Sequence, residues 1–194
     1  MARQPLHDIH AVGEQRTGTF MQTSLTIYAE DAVASASLAL VDPRLADLLV
    51  SPRPIVTMGA DVRALADGRR LLLPVLDLAR DEILLAAPDG LRGDPSRRLA
   101  TQAHPAVVRI GPYLVHGRLH APASTDAFSA ARHRAWIAIT DADVTWSQGG
   151  RVRTVAHPVL LVNARRVAAL KPDGDQMRDM RGAMVASSWV TAGH

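Results

Sequence analysis

Pro74–Gly90 (PVLDLARDEILLAAPDG) and Pro158–Gly174 (PVLLVNARRVAALKPDG) open on Pro-Val-Leu and close on Pro-Asp-Gly. Upstream, Ile55–Arg69 lies against Ile137–Arg151, so that Ala-Asp-Val recurs 82 residues on and Pro-Asp-Gly 84 residues on. One two-residue insertion reconciles the spacings. A period this long is that of a small domain copied once; solenoid units are shorter. Each copy has about 80 residues, a size at which a lone core is marginally stable. Two copies packed together bury more apolar surface than either alone.

Short alternating runs dominate both copies, as half-buried strands require. In the first they fall at 24–29, 35–40, 55–58, 62–65, 71–76 and 83–86, with a hairpin turn at Ala66-Asp67-Gly68. Asp42-Pro43 supplies a helix start, so 42–50 reads as a short helix stopped by Ser51-Pro52-Arg53-Pro54. In the second copy, 107–120 reads as one long strand bent at Gly111-Pro112. A helix over 126–132, capped by Ser124 or Thr125, precedes strands at 136–140, 144–146, 151–155, 159–162 and 167–170. Gln148-Gly149-Gly150 is the matching hairpin turn.

The expected architecture is therefore mainly β with short helices. Two homologous small β-barrel or β-roll repeats, 19–90 and 105–174, are arranged about a pseudo-two-fold axis. Residues 1–18 form an arm, 91–104 a linker rich in Gly and Arg, and 175–194 a tail. In the tail Met177, Met180 and Met184 fall on one helical face, with Trp189 beyond, so a C-terminal helix is expected. That strip either packs on the barrels or docks a partner.

Segments YLVHGRLH, DAFSAARHRAWIAITDADV and HPVLLVNARRVAAL resemble small bacterial β-barrel domains of uncharacterised function and, more distantly, the Sm-like barrel. Gly117, Asp141-Ala142 and Asn163 carry the likeness; the first copy has Gly59 in place of Asp141 and Ala79 in place of Asn163. The match covers 107–170 well and 24–87 faintly. It implies a barrel. The closing Arg-Gly pair of an Sm RNA-binding motif is missing, and a helix is inserted at 125–132.

Chemistry is thinly signalled. The absence of cysteine removes disulfides, thiolate nucleophiles and Cys-based metal sites. No Gly-x-Ser-x-Gly elbow or phosphate-binding Gly-rich loop is present, and Lys171 is the single lysine against 21 arginines. The isoelectric point near 10.1 accompanies a net charge of only +3, so it reflects how late arginine titrates. His116 and His120 share a strand face with Arg118, and His104 or His157 could join them, but no metal-ligand spacing emerges. Neither a metal nor a cofactor is expected. Asp141 and Asp143 read as a strand-end turn in which a carboxylate caps backbone N–H groups.

The leading expectation is a non-enzymatic cytoplasmic interaction or regulatory module, acting through a protein partner or self-association. No run is long enough for a membrane span, and the N-terminus lacks the apolar core of a signal peptide. A second reading is nucleic-acid binding through a strip of Arg109, Arg118, His120, Arg132, His133 and Arg134 on the second copy. A third is a metal-dependent or small-molecule enzyme with its cleft between the copies, near Asp141, Asn163, His157 and His120.

Overall fold

The alternating runs become ten strands in the computed structural model, which describes residues 21–40, 45–51, 55–89 and 100–174. In chain order these are β1 (Met21–Tyr28), β2 (Ala32–Leu40), α1 (Leu45–Val50), β3 (Ile55–Ala64), β4 (Arg70–Leu78) and β5 (Leu85–Pro88). There follow β6 (Gln102–Ile110), β7 (Tyr113–Ala121), α2 (Ala127–Arg132), β8 (Trp136–Gln148), β9 (Arg151–Asn163), a 3-10 turn at Ala164–Arg166 and β10 (Val167–Pro172). All ten strands lie in one open antiparallel sheet, ordered β10-β6-β7-β8-β9-β5-β1-β2-β3-β4. The protein is mainly β with two short helices, as the periodicity indicated.

Several expected strands merge. The runs at 55–58 and 62–65 are one strand, β3, and the four runs between 136 and 162 are two, β8 and β9. In β3 and β8 the reason lies at Gly59 (φ 62°) and Asp141 (φ 49°), each in the left-handed region in mid-strand. A residue of this kind interrupts alternation without ending the strand, so a reading by periodicity splits it. At both places the pairing with the previous strand slips, between Ser35 and Ser37 and between His116 and Arg118. Conversely, the long run at 107–120 is two strands, because Gly111 (φ 50°) turns the chain back. The start of β6 also takes residues 102–104 from the expected linker. Asp126, rather than Ser124 or Thr125, caps α2, its carboxylate accepting from the Phe128 N–H at 3.1 Å.

The first five strands have the neighbour order β5-β1-β2-β3-β4, and the last five β10-β6-β7-β8-β9. Register agrees as well: Leu25 lies opposite Ala36 and Pro88, and Ala106 opposite Gly117 and Pro172. A two-fold axis relating the halves would repeat every contact in both directions. The sheet instead joins unlike strands once, β5 to β9, with Leu85 opposite Val162 and Ala86 opposite Leu161. Leu85, Ala86 and Ala87 are fully buried, so β5 takes a neighbour on either side.

This junction is a partition between two cores. Leu85, Ala87, Leu160 and Val162 belong to one, with Val108, Val115, Ile139 and Val144 of the second half. Ala86 and Leu161 belong to the other, with Leu25, Ile27, Ile55 and Leu49 of the first. Alternate side chains along one strand thus serve different interiors. Asn163 fastens the join: its N–H donates to Leu84 O at 2.9 Å, and Nδ2 donates to Ile83 O at 3.0 Å.

The expected arm (1–18) and the tail, with Met177, Met180, Met184, Trp189 and the C-terminal helix, lie outside the described residues. Among the described residues no helix is long and apolar enough to cross a membrane. Because Gly59 and Asp141 share one backbone conformation, Gly59→Ala should cost about 1 kcal/mol, while Asp141→Gly should be neutral or gain up to about 1 kcal/mol. Its exposed ion pair with Arg118, at 3.7 Å, offsets little of that gain. Denaturant titration of both variants measures the difference.

Candidate functional site

Strand β4 reads RLLLPVLDL, and an edge strand with so many large apolar residues is unusual in a protein that must stay dispersed. Its register on β3 places Met58 opposite Val75, Val56 opposite Asp77 and Asp61 opposite Leu72. Directly paired residues share a face. Val56 (48% exposed), Met58 (59%), Leu72 (64%) and Val75 (54%) therefore make an apolar outer face on the first half. Beside it Asp61 is held by Arg70 at 2.8 Å, and that hydrogen bond, with Arg63 nearby, keeps its carboxyl below the usual range. The equivalent positions in the second half, 82 residues on in β8 and 84 on in β9, are Ala138, Thr140, Ala156 and Val159. Three of the four positions are therefore larger and more apolar in the first copy. Sequence reasoning missed this face, although the aligned copies carried the signal.

The second polar cluster lies on β7. His116 is buried, with Nδ1 3.2 Å from Asp173 Oδ2. It pairs across the strands with Asp143, and Pro105, Gly117, Arg118 and Asp141 complete a cavity of about 400 Å³. Gly117 is required there: a Cβ would collide with Ile139 Cγ2 and come within 2.9 Å of Thr140 O. His120 points its Nε2 to Thr140 Oγ1 at 2.7 Å, with Nδ1 3.4 Å from Thr101 Oγ1, and stays apart from the His116 pair. Among the described residues no three histidine or acidic side chains gather as a metal-ion set.

A third cluster knits the halves together. Tyr28 lies edge-on to Tyr113, Trp146 and His157, with centroids 5.2, 5.5 and 5.7 Å away. Its hydroxyl is hydrogen-bonded to His157 Nε2 at 2.5 Å, and the Tyr113 hydroxyl donates to Ala29 O at 2.7 Å. Burial pushes both phenols up, with Asp89 adding to it for Tyr28. Burial also lowers the His157 pKa, partly opposed by Asp89. The lowered pKa favours the neutral form of the buried His157 at the seam, and Asn163 is spent on the junction described above.

The proposed basic strip is spread out. Arg109 and Arg118 are exposed on β6 and β7, but Arg118 lies opposite Pro105, four residues from Arg109 along β6, which is roughly 13 Å. Arg118 is also beside Asp141. Arg132, His133 and Arg134 are exposed at the end of α2, while His120 is hydrogen-bonded on β7.

No family model, curated protein or solved structure matches the chain. The functional reading therefore rests on the geometry.

The depressed His157 pKa has a consequence for stability. In the unfolded chain a histidine titrates near 6.5, so as pH falls below that value the unfolded state takes up the proton first. Stability due to this group is full above about pH 6.5 and declines below it, by up to about 1.4 kcal/mol per pH unit, until the folded histidine itself protonates. His157→Gln should flatten the pH 5–7 part of the curve, as followed by urea unfolding at several pH values. Tyr28→Phe should cost about 1–3 kcal/mol by stranding the His157 nitrogen.

Proposed function

We propose that the chain is a non-enzymatic interaction module made of two duplicated small β rolls, with the first roll supplying the contact face. The observation that carries this reading is the apolar outer face of Val56, Met58, Leu72 and Val75. Burying such a side chain in full is worth about 1.5–3 kcal/mol, so four adjacent ones amount to a substantial reason to associate. Matching strand order, register and mid-strand left-handed residues support the duplication. On this reading the second roll keeps the smaller outer residues and the fuller core, acting as the scaffold. The first presents its surface.

The most direct partner is another copy of the chain, in keeping with a surface that is apolar but rimmed by Asp61, Arg63, Arg70 and Asp77. Met58→Lys/Val75→Lys changes two exposed residues and should leave the fold intact. Light scattering over a concentration series should then show at least a tenfold loss of association or of partner affinity, about 1.4 kcal/mol. A chain that stays monomeric throughout, and whose surface binds no apolar probe dye, would count against the module.

A further inference from the structure

The internal junction leaves behind a matching pair of edges. β5 sits against β9 inside the sheet, and the strands in the corresponding places are β10 and β4. These are the two outer strands, and among the described residues neither has a second strand neighbour. One molecule therefore carries both halves of a contact that it already makes once internally. We propose that β10 of one copy adds to β4 of a second copy in the register of the β5–β9 join, a head-to-tail contact that repeats from chain to chain. This inference rests on the self-association reading above and names its route.

The register follows from the two copies. Leu85 and Ala86 correspond to Ala169 and Leu170, and Val162 and Leu161 to Leu78 and Asp77. Ala169 thus lies opposite Leu78 of the next chain, and Leu170 opposite its Asp77. The bond from Asn163 N–H to Leu84 O becomes one from Ala79 N–H to Ala168 O. Both residues are exposed, and the Ala79 N–H is met by the Glu82 carboxylate, at 3.2 Å on the surface. Burial supports the same match. Leu160, Leu161 and Val162 are all buried at the internal join, whereas of their counterparts Leu78 is buried, Leu76 half-buried and Asp77 exposed.

The external contact is weaker than the internal one for identifiable reasons. Ala79 stands where Asn163 supplies its second hydrogen bond to Ile83 O, and Asp77 replaces Leu161. Removing one buried hydrogen bond and adding one carboxylate makes a reversible contact from a permanent one. Repeated head-to-tail contacts close into a ring where the rotation allows and otherwise extend as a filament.

Two substitutions at one exposed residue test this in opposite directions in the full chain. Ala79→Asn restores the Asn163 arrangement, its amide reaching Val167 O of the neighbour, and should tighten association about two- to tenfold. Ala79→Pro removes the N–H and should weaken it at least about tenfold, with circular dichroism checking the fold. Two results overturn the proposal. In one, the parent and Ala79→Asn both remain monomeric at every concentration. In the other, association ignores both Ala79 changes and is abolished by Met58→Lys/Val75→Lys or by Met177→Ser/Met180→Ser/Met184→Ser. That second result leaves the interaction module standing and removes only strand addition as its route.

Discussion

Backbone pairing between β5 and β9 is the contact on which the rest of the molecule depends. It is short, two facing residue pairs and the Asn163 clamp, yet it turns two marginal units into one continuous sheet. Small residues make it work. Ala86 and Ala87 let the strand be walled in on both faces, so that each neighbouring side chain falls to one core or the other. The aromatic group around Tyr28 and the Tyr113 hydroxyl then tie β1 to the strands of the second half. Two kinds of contact, backbone and aromatic, thus hold the halves together.

The second organising element is the left-handed residue in the middle of β3 and of β8. It lets long strands bend while the same sequence of side chains keeps filling the interior. Ile137 and Ile139 precede Asp141, and Ala142, Val144 and Trp146 follow it, all in one core. An odd-to-even change of this kind would expose the second group in a regular strand. Glycine meets the requirement in the first half; in the second an aspartate accepts it, and Gly117 across the slip leaves room for the approach.

Much of this arrangement was legible in the residues. Alternation located the strands to within their bends, and with them the mainly β character of the chain. What the residues did not disclose was contact between distant parts. The His116–Asp173 contact is one such case, because nothing local announces a partner 57 residues away. The open sheet and the unlike pairing of the halves are likewise tertiary facts: an aligned repeat says that two pieces correspond, and is silent on which edge of one meets which edge of the other. The apolar face of β3 and β4 lay hidden for a different reason. An outer-facing Val or Met is read as core unless the partner strand and its register are known.

Placing β5 deep within the sheet has a bearing on how the polypeptide tolerates damage. It belongs to the first half along the chain, yet its side chains line the interior of both halves and its backbone is bonded to the second. A peptide bond cut in the stretch joining β5 to β6 would sever the covalent thread while leaving every sheet contact made. The two pieces would still be one folded body, held as a clasp holds a bracelet after a link has been filed through.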